Sequence, residues 1–191
     1  ENNGTLDKYV GDAVVAFWNA PEPQPDHAVL ACRAALASQR ELQIFRTRLK
    51  TAGLPDFTAR IGLNTGAVTV GFVGARKRFQ YTVLGDDANL ASRLEGANKA
   101  YGTSILISET TYAAAQKAIL AREVDLLRVL GKQKPVRVYE LLGLAEDATD
   151  DRRKILALFA EGLALYRERR WADARLRFDA VLGIAPDDGP A

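Results

Sequence analysis

The stretch Asp7-Lys8-Tyr9-Val10-Gly11-Asp12 runs straight into the apolar block Ala13-Val14-Val15-Ala16-Phe17-Trp18, and Pro21, Pro23 and Pro25 then cut that block off. A buried strand accounts for the block. Gly11 permits a tight turn at its entrance. Lys8 and Asp12 put opposite charges four residues apart at the mouth of the strand. A cation and a carboxylate held beside a glycine turn suit a site that takes a metal and a polar base.

The rest of the chain alternates. Asp26 is expected to cap a helix to about Lys50, built on the stripe Val29, Leu30, Leu36, Leu42, Ile44, Phe45 and Leu49. Phe57 to Asn64 and Ala67 to Val73 read as two strands joined in a hairpin at Thr65-Gly66, and Arg76-Lys77-Arg78 as an exposed basic tip. Phe79 to Leu84 is a further strand. Asp86 or Asp87 then caps a helix that reaches Ala100 and stops at Gly102. A strand over Ser104 to Ile107, a helix over Glu109 to Lys117, and strands near Leu126 to Val129 and Val136 to Leu141 complete the pattern. This predicts an α/β (α+β) domain with helices packed on a mixed sheet.

After Gly143 the composition turns polar and acidic, so the chain divides into a domain over 1–144, a linker over 145–152 and a helical segment over 153–191. In that segment Leu158, Gly162, Leu163, Tyr166, Trp171, Ala174, Phe178, Leu182 and Pro186 follow the spacing of one tetratricopeptide repeat. A single repeat cannot bury its own apolar face. Either further repeats follow, or the helix pair caps the domain before it.

With 26 basic and 24 acidic residues, the charge balance gives no reason to expect a nucleic-acid partner or a membrane-surface patch. Cys32 is the only cysteine and His27 the only histidine. That excludes an internal disulfide and leaves no ligand set for zinc. A lone cysteine among alanines reads as a small buried helix residue in a reducing, cytoplasmic protein. No run of about 18 apolar residues is present. Gly62, Gly66, Gly71 and Gly74 lack both the Walker lysine and the dinucleotide spacing, so they are not a phosphate loop.

A second constellation, Gln80-Tyr81-Thr82-Val83-Leu84-Gly85-Asp86 followed by Asn89-Leu90-Ala91-Ser92-Arg93-Leu94-Glu95, comes in the right order after the first. Together the two resemble the catalytic domain of class III nucleotidyl cyclases, of the bacterial adenylate cyclase kind, over nearly all of Asp7 to Leu142. The resemblance implies a ferredoxin-like core that pairs head to tail as a homodimer with shared active sites. It implies ATP as substrate, two Mg2+ or Mn2+ ions per site, and attack of the ribose 3′-hydroxyl on the α-phosphate to give 3′,5′-cyclic AMP and pyrophosphate in signal transduction.

Residue by residue, Asp12 matches the second metal-binding aspartate, and the first would lie on a strand upstream of Glu1. The chain opens on Glu1 and contains no methionine, so a longer parent, with or without a membrane anchor, is expected. The chain by itself is then expected to be inactive. Lys8 matches the donor to adenine N1 and Thr82 the acceptor from the exocyclic amine. Guanine reverses both demands, which favours ATP. Asn89 and Arg93, four apart on one helix face, match the ribose-orienting asparagine and the arginine that meets transition-state charge. Where the family carries a triphosphate lysine this chain has Leu130, so Lys132, with Lys134 beside it, is the candidate replacement. That departure supports one alternative, a degenerate cyclase-homology module that binds nucleotide or a partner without turnover. The helical tail is a candidate site for a protein partner.

Overall fold

Gly11 adopts a φ of 63° and closes a two-residue turn between β1 (Thr5–Val10) and β2 (Ala13–Phe17), which pair as an antiparallel hairpin. The coordinates are a computed structural model that describes residues 2–75, 78–128 and 135–191. A three-proline loop follows β2. Helix α1 (His27–Thr51) begins there, with Asp26 at its N-cap making no side-chain cap; the Asp26 carbonyl accepts from Leu30 instead.

The central sheet is formed by β3 (Ile61–Leu63), β6 (Ile105–Ser108), β8 (Val136–Leu144) and β7 (Ile119–Leu127), in that spatial order. It is mixed: β3 runs parallel to β6, and the other pairs are antiparallel. A separate antiparallel hairpin joins β4 (Thr69–Ala75) to β5 (Arg78–Leu84). Helix α2 (Asp86–Tyr101) follows β5, and α3 (Glu109–Ala115) follows β6.

Side chains alternate across β6, and the two faces bury different helices. Ile105 and Ile107 pack with Ala28, Cys32 and Ala35 of α1 and with Ala115 of α3. Leu106 packs with Leu90 and Leu94 of α2 and with Val138 of β8. Helices therefore cover both faces of a mixed sheet. Cys32 is fully buried as expected, and burial pushes its thiol up to about 12.

Several sequence expectations are corrected. Thr65-Gly66 is not a hairpin turn, because β3 pairs with β6 and β4 with β5. The local turn signal lost to a parallel pairing made more than 40 residues away, between Ile61 and Ile105. Only Ile61–Leu63 of the expected Phe57–Asn64 strand is extended. Neither Asp86 nor Asp87 caps α2, since Gly85 is the N-cap and both acids lie in the first turn, where they favour the helix dipole. The apolar block is a strand but not a buried one. Val14 is 62% exposed and only Phe17 is buried, because among the described residues β2 pairs with β1 alone. The basic tip at Arg76 and Lys77 lies outside the described residues.

The tail is a helical hairpin, α4 (Asp150–Arg167) and α5 (Trp171–Ile184), and the expected linker is largely structured: a 3-10 turn over Ala145–Asp147 leads to Thr149, whose hydroxyl caps α4 at Arg152. The Phe159 and Phe178 rings lie 5.3 Å apart across the hairpin. The hairpin caps the domain. Arg122 of β7 is buried beneath it, with Nη2 2.6 Å from Glu140 and 2.8 Å from Asp188, and its guanidinium lies 4.4 Å from the Phe159 ring centre. Among the described residues, no helix is long and apolar enough to cross a membrane.

Candidate functional site

β1 and β5 bring Lys8 and Thr82 together across 74 residues of sequence: the ammonium donates to Thr82 Oγ1 at 2.7 Å. A third group, Asp7, completes the cluster. Its Oδ2 accepts from the Thr82 hydroxyl at 3.0 Å and lies 3.4 Å from Lys8 Nζ. Strict alternation along a strand would send neighbours Asp7 and Lys8 to opposite faces. The pairing with β2 breaks that alternation, since Leu6 faces Ala16 and Lys8 faces Val15, leaving Asp7 as the extra residue of a bulge. Such bulges re-aim side chains. The Asp7 side chain is wholly buried, whereas Lys8 is one-third exposed.

Asn89 and Arg93 project from exposed positions of α2. What seats that helix is a close approach to β3: a Cβ built on Gly62 would lie 2.1 Å from the Ala91 carbonyl oxygen and 2.3 Å from the Glu95 nitrogen. Asn98 locks the seat. It is fully buried, its amide donates to the Ile61 carbonyl at 3.0 Å, and its oxygen accepts from Thr103 at 2.7 Å. Near the start of α2, Asn64 donates to the Asp87 carbonyl at 2.8 Å.

Asp12 stands exposed in the β1–β2 turn. Lys8 precedes the closing pair of the hairpin, Val10 with Ala13, by two residues, ~7 Å at about 3.3 Å per residue, and Asp12 lies beyond that pair in the turn. Among the described residues, no three His, Cys, Asp or Glu side chains gather where they could hold a metal ion. A hard divalent cation takes about six oxygen donors, so one exposed carboxylate does not make a two-ion centre. The described residues of one chain do not fit that group. Lys132, Lys134 and Leu130 lie outside the described residues.

A cavity of about 490 Å³ opens between β2, α1, β3 and the start of α2 and is lined by Phe17, Trp18, Ala28, Gly62 and Asn64. None of Lys8, Thr82, Asp12, Asn89 or Arg93 lines it. Asp12 in the β1–β2 turn and Asn89 and Arg93 on α2 are exposed instead, an arrangement suited to a site completed by another surface.

The sequence matches the adenylate and guanylate cyclase catalytic domain over residues 7–143. The chain belongs to the adenylate and guanylate cyclase family. It is 42% identical over 143 residues to adenylate cyclase 1 of Rhizobium meliloti, covering 75% of this chain and 22% of that protein. A terminal-differentiation-specific adenylate cyclase of Dictyostelium discoideum is 33% identical over 197 residues, covering 100% of this chain and 9% of its own length. That match takes in the helical hairpin. The chain thus spans less than a quarter of these two curated relatives. The crystal structure of an adenylyl cyclase from P. aeruginosa superposes with a TM-score of 0.69 at 35% identity, covering 78% of this chain and 76% of that one. The cyclase fold is shared. The sequence assigns Asp7 and Asn98 no distinct role, and names Gly62 only among four glycines that do not form a phosphate loop. For Asp7 the available signal was an acid directly before Lys8.

Proposed function

We propose that this cyclase domain converts ATP to 3′,5′-cyclic AMP and pyrophosphate in intracellular signalling. The observation that carries the reading is the direct contact between Lys8 and Thr82. An ammonium can only donate, so it suits adenine N1, and a hydroxyl oxygen beside it can accept from the N6 amine. Guanine presents N1–H to the ammonium, which cannot accept it, and a carbonyl to Thr82, which would have to donate and not accept.

In this reading Lys8 and Thr82 hold the base, Asn89 orients the ribose, and Arg93 faces the phosphate charge that grows as the 3′-hydroxyl attacks. A guanidinium stays charged at any working pH and offers a fixed fork of donors. Lys132 is proposed to meet the triphosphate. Asp12 is proposed as one carboxylate ligand of the Mg2+ or Mn2+ ions, which when bound would neutralise phosphate charge.

Two chains are proposed to form each site. The supporting observation is the exposure of large apolar side chains on the two hairpins: Tyr9 is 69% exposed, Phe72 75% and Phe79 64%. Apolar groups gathered in this way mark association surfaces. Asp12 of one protomer would then complete a site whose Lys8, Thr82, Asn89 and Arg93 come from the other. The chain is read as three parts, 1–144 as catalytic domain, 145–152 as junction and 153–191 as a tetratricopeptide-like hairpin able to meet a protein partner. The fully buried lone Cys32 fits a reducing cytoplasmic compartment.

The test is base selection in the full-length protein. Lys8→Glu combined with Thr82→Ser should lose the preference for ATP, because each buried polar group left unpaired costs about 1–3 kcal/mol. A double variant that cyclises ATP as well as the parent would overturn the assignment.

A further inference from the structure

We propose that Asp7 sets the polarity of the base-reading pair: it takes the Thr82 hydroxyl proton, so that Thr82 offers the incoming base only a lone pair. The inference rests on the adenylate cyclase reading and deepens it, because it names what makes an ambiguous hydroxyl select adenine.

A hydroxyl has one proton and two lone pairs, and its rotor turns to suit its neighbours. Alone, Thr82 could accept from the adenine amine or donate to the guanine carbonyl, and it would discriminate poorly. Two neighbours remove that freedom. Lys8 Nζ, 2.7 Å away, has only protons to give and therefore occupies one lone pair. Asp7 Oδ2, 3.0 Å away, has only lone pairs and therefore receives the proton. One lone pair remains, and it faces a donor such as the N6 amine favourably and the O6 carbonyl of guanine unfavourably.

The same geometry explains why the residue is an aspartate. Its side chain is fully buried and its second oxygen, Oδ1, has no hydrogen-bond partner. A buried unpaired oxygen is a cost to folding that an apolar residue would avoid. An asparagine of the same shape could turn its N–H2 toward Thr82 and send the hydroxyl proton outward. Only the acid guarantees acceptance. The bulge that removes Asp7 from pairing with β2 places it against Thr82 and not on the opposite face of the strand. Asp7 acts through Thr82 and need not touch the nucleotide, which makes it a positioning residue.

The experiment measures kcat/KM for ATP and for GTP in the full-length protein, with thermal melts to monitor folding. The variants are Asp7→Asn, Asp7→Ala, Thr82→Asp, and Asp7→Ala combined with Thr82→Asp. Asp7→Asn should lower the ATP to GTP ratio by about 10-fold or more, the size of one misdirected hydrogen bond. Thr82→Asp alone should be impaired, because it sets two carboxylates about 3 Å apart. The combined variant should recover ATP selection, since a carboxylate at position 82 is an acceptor without help. A merely structural Asp7 predicts the opposite: no recovery in the combined variant and an unchanged ratio in Asp7→Asn. If Asp7→Asn does not fold, the comparison of Asp7→Ala with the combined variant decides alone. A parent that turns over neither nucleotide defeats the catalytic reading but not this one. The ratio of fluorescent ATP to fluorescent GTP binding then serves: its collapse in Asp7→Asn supports the proton assignment, and an unchanged ratio overturns it.

Discussion

Gly62→Ala tests the seat of the helix that carries Asn89 and Arg93. The added Cβ would fall 2.1 Å from the Ala91 carbonyl oxygen, 2.3 Å from the Glu95 nitrogen and 2.9 Å from the Leu94 carbonyl carbon. Ordinary contact between such atoms needs about 3.5 Å, so α2 must retreat from β3 by more than about 1 Å. All three atoms are helix backbone, and no side-chain rotamer can relieve the clash. Overpacking of this kind costs about 1–3 kcal/mol, occasionally more. The retreat also strains the Asn98 bond to Ile61, and loss of that buried partner adds about 1–3 kcal/mol. The expected loss is therefore about 2–6 kcal/mol, against a total of roughly 5–15 for a domain. Gly96, exposed on the same helix with nothing within 4 Å of its built Cβ, is the control. Gly96→Ala should stabilise by about 0.8–1 kcal/mol through helix propensity alone. Urea unfolding of the three proteins, with cyclic AMP formation measured in the full-length counterparts, reads both effects. A Gly62→Ala protein within about 1 kcal/mol of the parent would refute the close approach of α2 to β3.

In the full-length protein, Arg93→Ala and Asp12→Ala should each lose on the order of 100-fold or more of activity, and the co-expressed pair should regain part of it. No recovery with heterodimers present would rule out a shared site. Cys32 should resist thiol reagents at mildly alkaline pH until the protein is unfolded, because burial pushes it up to about 12; rapid labelling of the native state would contradict the packing of α1. Burial holds the Glu140 carboxyl above its ordinary 4.5, with Arg122 opposing. A raised folded value gives stability that is full below the ordinary value and lost as pH rises through the raised one. The stability of the parent relative to Glu140→Gln should therefore decline from acid toward neutral pH in parallel urea titrations. A rising difference would refute the sign.

How much was legible depended on how local the cause was. Apolar runs and Gly102, which adopts a φ of 64° after α2, mark elements from within a few residues, and the order of strands and helices after β1 follows from them, whereas β1 itself, with no apolar run, was not expected. Partner choice is another matter. Thr65-Gly66 has turn chemistry, yet β3 finds its partner at Ile105–Ile107, and no local signal carries that information. The candidate site divides the same way. Asn89 and Arg93 share a helix face by spacing alone, whereas the meeting of Lys8 with Thr82 was implied only by family resemblance. Asp7 was hidden by its own strand, because period-two reasoning sends it away from Lys8 and only the bulge brings it back.

The helical hairpin shows what a boundary drawn from composition overlooks. The acidic stretch after Gly143 reads as a spacer, and the family match also ends at residue 143. Yet Arg122 lies within the matched domain, buried, and among the described residues it pairs with Asp188, beyond the end of α5, as well as with Glu140. A buried arginine left with an incomplete set of partners costs far more than an exposed one, about 3–5 kcal/mol when a partner is removed. The Phe159 ring over the guanidinium adds to the same joint. Another contact lies nearby: a Cβ on Gly189 would fall 2.7 Å from the carbonyl oxygen of Gly102, the residue that ends α2. The tail is thus bound to the strand that holds Arg122 and rests against the end of the helix that presents Asn89 and Arg93. The joint at Arg122 and the approach of Gly189 to Gly102 therefore tie the tail both to β7 and to the end of α2.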